Sequence, residues 1–200
     1  MKGWCVAIIV AILAATWGGP AAAIEEIGVY FNVEATNYCE WLPMPAYVPI
    51  PVYVTLTGVS APVQGFEFSY TMTSPDSFYR LSATVGGVGP QDSGNSSSVT
   101  GGWYRVTLPT PQPAGDRMVL VTWSLMLISV PGHNVVFGLG AAPDPRLPGL
   151  LPVVDGGVGA GLRRVPIHGS GYGGLSAWWG GCEALAKETS SFGAIKALYR

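Results

Sequence analysis

The chain has 200 residues, a formal net charge of −2 and only 11% charged residues. No basic tract is present, which excludes a nucleic-acid surface. Glycine (28) and proline (17) are spread along the whole chain, so long helices have almost nowhere to sit.

Residues 1–23 carry Lys2, an apolar stretch from Cys5 to Trp17, and the small residues Ala21, Ala22 and Ala23. This pattern predicts a secretory signal peptide, too short for a comfortable membrane span; the alternative is an uncleaved N-terminal anchor. Cys5 precedes the apolar stretch, which does not fit a lipoprotein signal. The expected product is secreted, periplasmic or on the cell surface, with no membrane span after cleavage. Two cysteines remain in the mature chain, Cys39 and Cys182. An even pair in an exported chain predicts one disulfide; the alternative is two buried thiols.

The first strand is expected at Ile27–Val33, followed by loop from Ala35 to Met44. The run PVYVTLTGV after Pro49 alternates Val52, Val54 and Leu56 with Tyr53 and Thr55, the period of a strand with one buried face. In Val63–Met72, Phe66, Phe68 and Tyr70 share one face, and Glu67, Ser69 and Thr71 the other. Phe78–Val85 is a further short strand. Residues 86–102 read as loop and contain the glycosylation acceptor pattern Asn95-Ser96-Ser97. Trp103–Pro109, Arg117–Val130 and Asn134–Leu139 complete about seven strands. Their spacing predicts an all-β, antiparallel sandwich over 24–140. Residues 141–182 read as an irregular Gly/Pro-rich strap on the sandwich. At the end, Phe192, Ile195, Leu198 and Tyr199 fit two turns of an amphipathic helix docked on the domain, so 141–200 is expected to be strap plus short helix.

The stretch from Val48 to Gly87, with Gly65, Phe66, Phe68, Tyr70, Asp76, Phe78 and Leu81 in place, resembles a cohesin-type β-sandwich. It is similar to carbohydrate-binding modules as well. The cohesin resemblance implies a jelly-roll sandwich that binds dockerin domains through a sheet face. No dockerin-like calcium duplication accompanies it, and residues 141–200 have no counterpart in that family. The ending FGAIKALYR resembles endings of bacterial secreted proteins without an assigned activity.

Catalytic constellations are thin. His133 and His168 lie in turn and loop contexts without spaced metal partners. Gly169-Ser170-Gly171 is not a nucleophile elbow. Glu34, Glu40, Glu67, Asp76, Asp155 and Glu183 are the carboxylates a glycoside hydrolase would need to pair across a cleft. Glu67 is expected on a water-exposed sheet face. Asp76, Asp92, Asp116, Asp144 and Asp155 lie in loops and leave a structural calcium open without an assignable site; no other cofactor is implied. Tyr38 and Trp41 flank Cys39, and Trp178 and Trp179 precede Cys182. These four rings are the ligand-binding candidates, the alternative being a small second core around the bridge. The leading expectation is a non-catalytic extracellular recognition or structural module that binds protein or polysaccharide. The rivals are a secreted hydrolase of cell-wall or exported polysaccharide and a self-assembling cell-surface protein.

Overall fold

The computed structural model describes residues 24–128, 134–169 and 175–180. They form β1 (Glu26–Tyr30), β2 (Cys39–Glu40), β3 (Ile50–Val59), β4 (Val63–Thr73), β5 (Phe78–Val85) and β6 (Gln91–Asp92). β7 (Gly101–Gln112), β8 (Gly115–Leu127), β9 (Val135–Gly140), β10 (Val153–Asp155), β11 (Leu162–Arg164) and β12 (Leu175–Trp179) follow. The smaller sheet has the order β1-β3-β8-β5. The larger runs β11-β10-β4-β9-β12-β2, with β7 on the other edge of β4 and β6 beyond it.

Period-2 patterning explains how the sheets meet. Val52, Val54 and Leu56 of β3 and Phe66, Phe68, Tyr70 and Met72 of β4 are all buried. A strand turns alternate residues to one side, so these sets project into the space between the sheets. Trp123 of β8 lies fully buried among them and donates its indole N–H to the Tyr104 hydroxyl at 2.9 Å. The polar end of each large ring is thereby satisfied inside the core. Gly65 lets the strands beside β4 come close: a Cβ there would stand 2.6 Å from the Val106 carbonyl oxygen.

The architecture is all-β and mostly antiparallel, as expected, but two expectations about the C-terminal third need correction. No helix occurs among the described residues, and the helix expected at 190–200 lies outside them. Residues 141–182 are also not simply an irregular strap. Val153–Asp155 pairs with β4, Leu162–Arg164 pairs with β10, and Leu175–Trp179 pairs with β9. The physical reason is that β4 and β9 would otherwise leave unpaired N–H and C=O groups along an edge. Short runs between glycines are enough to cover it. A parallel bridge of Ile167 to Ile27, with His168 N–H donating to the Ile27 carbonyl at 2.7 Å, covers the β1 edge of the smaller sheet in the same way.

The expected Cys39–Cys182 bridge is also corrected: no complete disulfide is found among the described residues. Cys39 is in the disulfide-bonded state, and it is the only cysteine in the described segments. Cys182, like residues 1–23, where a signal peptide is expected, and His133, lies outside them.

Candidate functional site

The loop that leads into β2 is tied by its own side chains. Asn32 Oδ1 accepts the backbone N–H groups of Thr36 at 3.0 Å and Asn37 at 2.8 Å. Asparagine favours such local turns because its short side chain reaches backbone a few residues on. The chain then enters β2, which lies parallel to β12, with Cys39 opposite Trp178 and Glu40 opposite Trp179. Trp178 N–H donates to the Tyr38 carbonyl at 3.0 Å, and Gly180 N–H to the Glu40 carbonyl at 2.7 Å. Two segments about 140 residues apart in sequence thus form one edge of the larger sheet.

This pairing places the four sequence-predicted rings as follows. Trp179 is half-buried and meets Phe31 edge-on, with ring centroids 4.6 Å apart; Phe31 in turn meets Phe137 at 5.7 Å. Trp179 therefore joins the apolar core. Trp178, on the alternate side of β12, is also half-buried. Both indole nitrogens are buried without a hydrogen-bond partner among the described residues. Tyr38 stands edge-on to the His168 ring at 4.7 Å. Trp41 is 62% exposed, beside Leu42 at 71%. Trp178 and Trp179 are held against Cys39 and Glu40, while Trp41 projects past the end of the ladder into solvent.

His168 sits behind Tyr38. Its Nδ1 lies 2.7 Å from Glu26 Oε1, and its ring packs on Tyr30 at 5.5 Å. Burial and the nearby Glu26 carboxylate push the Tyr30 phenol up to about 12. Burial likewise raises the pKa of Tyr104 in the core.

Glu67 differs from expectation. It is fully buried rather than turned to water. Residues 144–146 fold over the outer face of β4, and Arg146 N–H donates to Glu67 Oε1 at 2.6 Å. Arg105 Nε and Arg146 Nε donate to Oε2 at 3.0 and 3.2 Å. Arg146 also reaches Asp155 at 2.9 Å. A buried carboxylate needs this saturation, because desolvation would otherwise outweigh any gain. The alternation of Glu67 with Phe66 and Phe68 gave no warning of it, since the covering residues come from 79 positions further on.

Of the carboxylates considered for hydrolysis, Glu67 and Asp155 do not face each other across a cleft, and Glu183 lies outside the described residues. Glu67 and Asp155 share Arg146 between them. Asp92 is occupied in a turn, accepting from Gly94 N–H at 2.8 Å and Arg105 N–H at 3.1 Å. Among the described residues, no group of three or more His, Cys, Asp or Glu is placed to hold a metal ion. No helix among them is long and apolar enough to cross a membrane.

Sequence comparison finds no matching family model and no matching curated protein. Solved structures with a similar fold include cohesins. A cohesin module from a Clostridium perfringens family 33 glycoside hydrolase has a TM-score of 0.47 at 11% identity, covering 72% of this chain and 90% of that one. The sixth cohesin of Acetivibrio cellulolyticus scaffoldin B, solved with a Cel5 dockerin mutant, has a TM-score of 0.46 at 12% identity, covering 67% and 87%. The third ScaB cohesin of R. flavefaciens, solved with a group 1 dockerin, has a TM-score of 0.41 at 14% identity, covering 78% and 96%. The likeness is one of strand layout, and no residue role is taken from it.

Proposed function

We propose that this chain is a non-catalytic recognition module of the cell exterior that engages a protein or a polysaccharide through the edge built by β2 and β12. The observation that carries this reading is the parallel pairing of those two strands. It anchors Trp178 and Trp179 and leaves Trp41 62% exposed next to Leu42. An exposed tryptophan on a braced edge supplies a large contact area at low entropic cost, as binding hot spots do. Against catalysis stands the use of Glu67 and Asp155 as partners of Arg105 and Arg146, which leaves neither poised as a general acid. The signal-peptide reading of residues 1–23 supports the exterior location.

The test is binding by the full exported chain and by Trp41→Ala. Polysaccharides form one arm and dockerin domains, which the sequence resemblance implies, form the other. The expected result is binding in one arm that Trp41→Ala weakens on the order of tenfold or more, at unchanged melting temperature. Binding that is indifferent to Trp41 removes this edge from the reading.

A further inference from the structure

A second concavity lies away from the Trp41 edge. β4 continues past its last register pair with β7, Thr71 with Gly101. Met72 then donates to the Thr100 carbonyl at 2.8 Å, and Thr73 extends beyond. In the facing sheet β5 begins at Phe78, opposite Leu127 at the end of β8. The end of β4, the connection and the start of β5 line an open recess of about 620 Å³. That volume falls within the range of small-molecule sites, about 300–1,000 Å³.

The lining has a distinct chemistry. Thr71, Thr73, Ser74 and Ser77 contribute hydroxyls, Asp76 a carboxylate and Tyr79 an aromatic ring. Thr100, beside Met72, adds a further hydroxyl. Among the described residues, no lysine or arginine lines the recess. Arg80, next in sequence, is turned away: its guanidinium donates to the Tyr70 hydroxyl at 2.6 Å and to the Ser96 carbonyl. The turn that forms the floor is braced, since Asp76 N–H donates to Ser74 Oγ at 3.1 Å and Ile128 N–H to the Ser77 carbonyl at 3.1 Å. Tyr79 is 54% exposed at the rim. Tyr47 flanks the end of β8 on the side opposite Phe78, its N–H donating to Leu127 O at 2.8 Å. Tyr47 has φ +62°, a left-handed conformation rare for an aromatic residue.

We infer that this recess binds a neutral oligosaccharide. Hydroxyls that both donate and accept, one carboxylate, and an exposed ring for the apolar face of a pyranose match the polar edge and C–H face of a sugar. With no cationic side chain among the described lining residues, the usual means of holding phosphate, sulfate or uronate is missing from them. β2 stands three strands from β4 in the larger sheet, roughly 14 Å at ordinary strand spacing. The recess is therefore a site separate from the Trp41 edge.

The test is calorimetric titration of the full exported chain with cellohexaose, xylohexaose and N-acetylchitohexaose, with oligogalacturonate as the anionic comparison. One neutral hexaose is expected to bind. Tyr79→Ala and Asp76→Asn should each weaken it on the order of tenfold, while Trp41→Ala leaves it unchanged within about twofold. Equal melting temperatures for the variants exclude misfolding as the cause. Binding lost on Trp41→Ala but kept on Tyr79→Ala overturns the recess and leaves the edge standing. Silence toward all three neutral sugars, or tighter binding of oligogalacturonate, overturns the ligand class.

Discussion

Single residues here carry more than their types announce. Glu67 is a buried charge held by two arginines whose side chains remain 28% and 32% exposed. Glu67→Ala would strand both cations beside the sheet. It is expected to cost about 3 kcal/mol, the low end for breaking a buried ion pair, because the arginines can turn to water. Urea unfolding of the two proteins measures this, and a loss below about 1 kcal/mol would mean the network is ornamental to stability. Tyr30 gives a pH prediction. Its folded pKa of about 12 lies above the ordinary tyrosine value of 10.0, so the folded state holds the proton more tightly. The corresponding stability is fully present below pH 10 and is lost as pH rises toward 12. Melting curves across that window should fall more steeply for the native chain than for Tyr30→Phe; parallel curves would contradict the shift. At Tyr47, replacement by glycine relieves the left-handed backbone. It should raise stability by up to about 1 kcal/mol, read as a higher melting temperature, unless ring contacts outweigh the strain.

At the scale of strands, the long alternating runs were legible and the short ones were not. IPVYVTLTGV and VQGFEFSYTMT declare their buried faces by period alone and appear as β3 and β4. β10 and β11 have three residues each, too few for a period, and they exist because β4 offers them a ladder. β2 and β12 pair in parallel across the chain, a choice no local pattern encodes. The Tyr38, Trp41, Trp178 and Trp179 group could be assembled on paper only through an assumed bridge; the structure brings its members together through strand pairing. One strand remains a liability. β5 pairs with β8 on one side only among the described residues, and it exposes Tyr79 and Leu81. Arg80, the charge that would guard such an edge, points to Tyr70 instead. Concentrated protein is expected to self-associate through β5, and Leu81→Lys should abolish this without lowering the melting temperature. Sedimentation velocity decides it: a native chain that stays monomeric at high concentration would show that the register irregularity between Arg80 and Ser82 is protection enough.

For the molecule as a whole, the C-terminal third is structural cover for the sandwich rather than an addition to it. Residues 144–167 supply Arg146 to Glu67, two strands to the β4–β10–β11 edge and the bridge that closes β1. A chain ending at Gly140 would leave Glu67 with Arg105 but without Arg146, and two edges open. It is expected to unfold or aggregate, whereas a well-dispersed amide spectrum from that truncation would show the first seven long strands to be self-sufficient.

The joining of β2 to β12 has a consequence in time. Cys39 meets Trp178, and Ile27 meets Ile167, only once about 140 further residues have followed each first partner. Contacts this remote close loops at high entropic cost, and proteins built on them fold in milliseconds to seconds rather than microseconds. As the chain is synthesised, the β3–β8 and β4–β7 pairings can form before β12 is present, leaving β9 with a bare flank. The Trp41 edge is thus assembled late, and only a chain that extends through β12 has it.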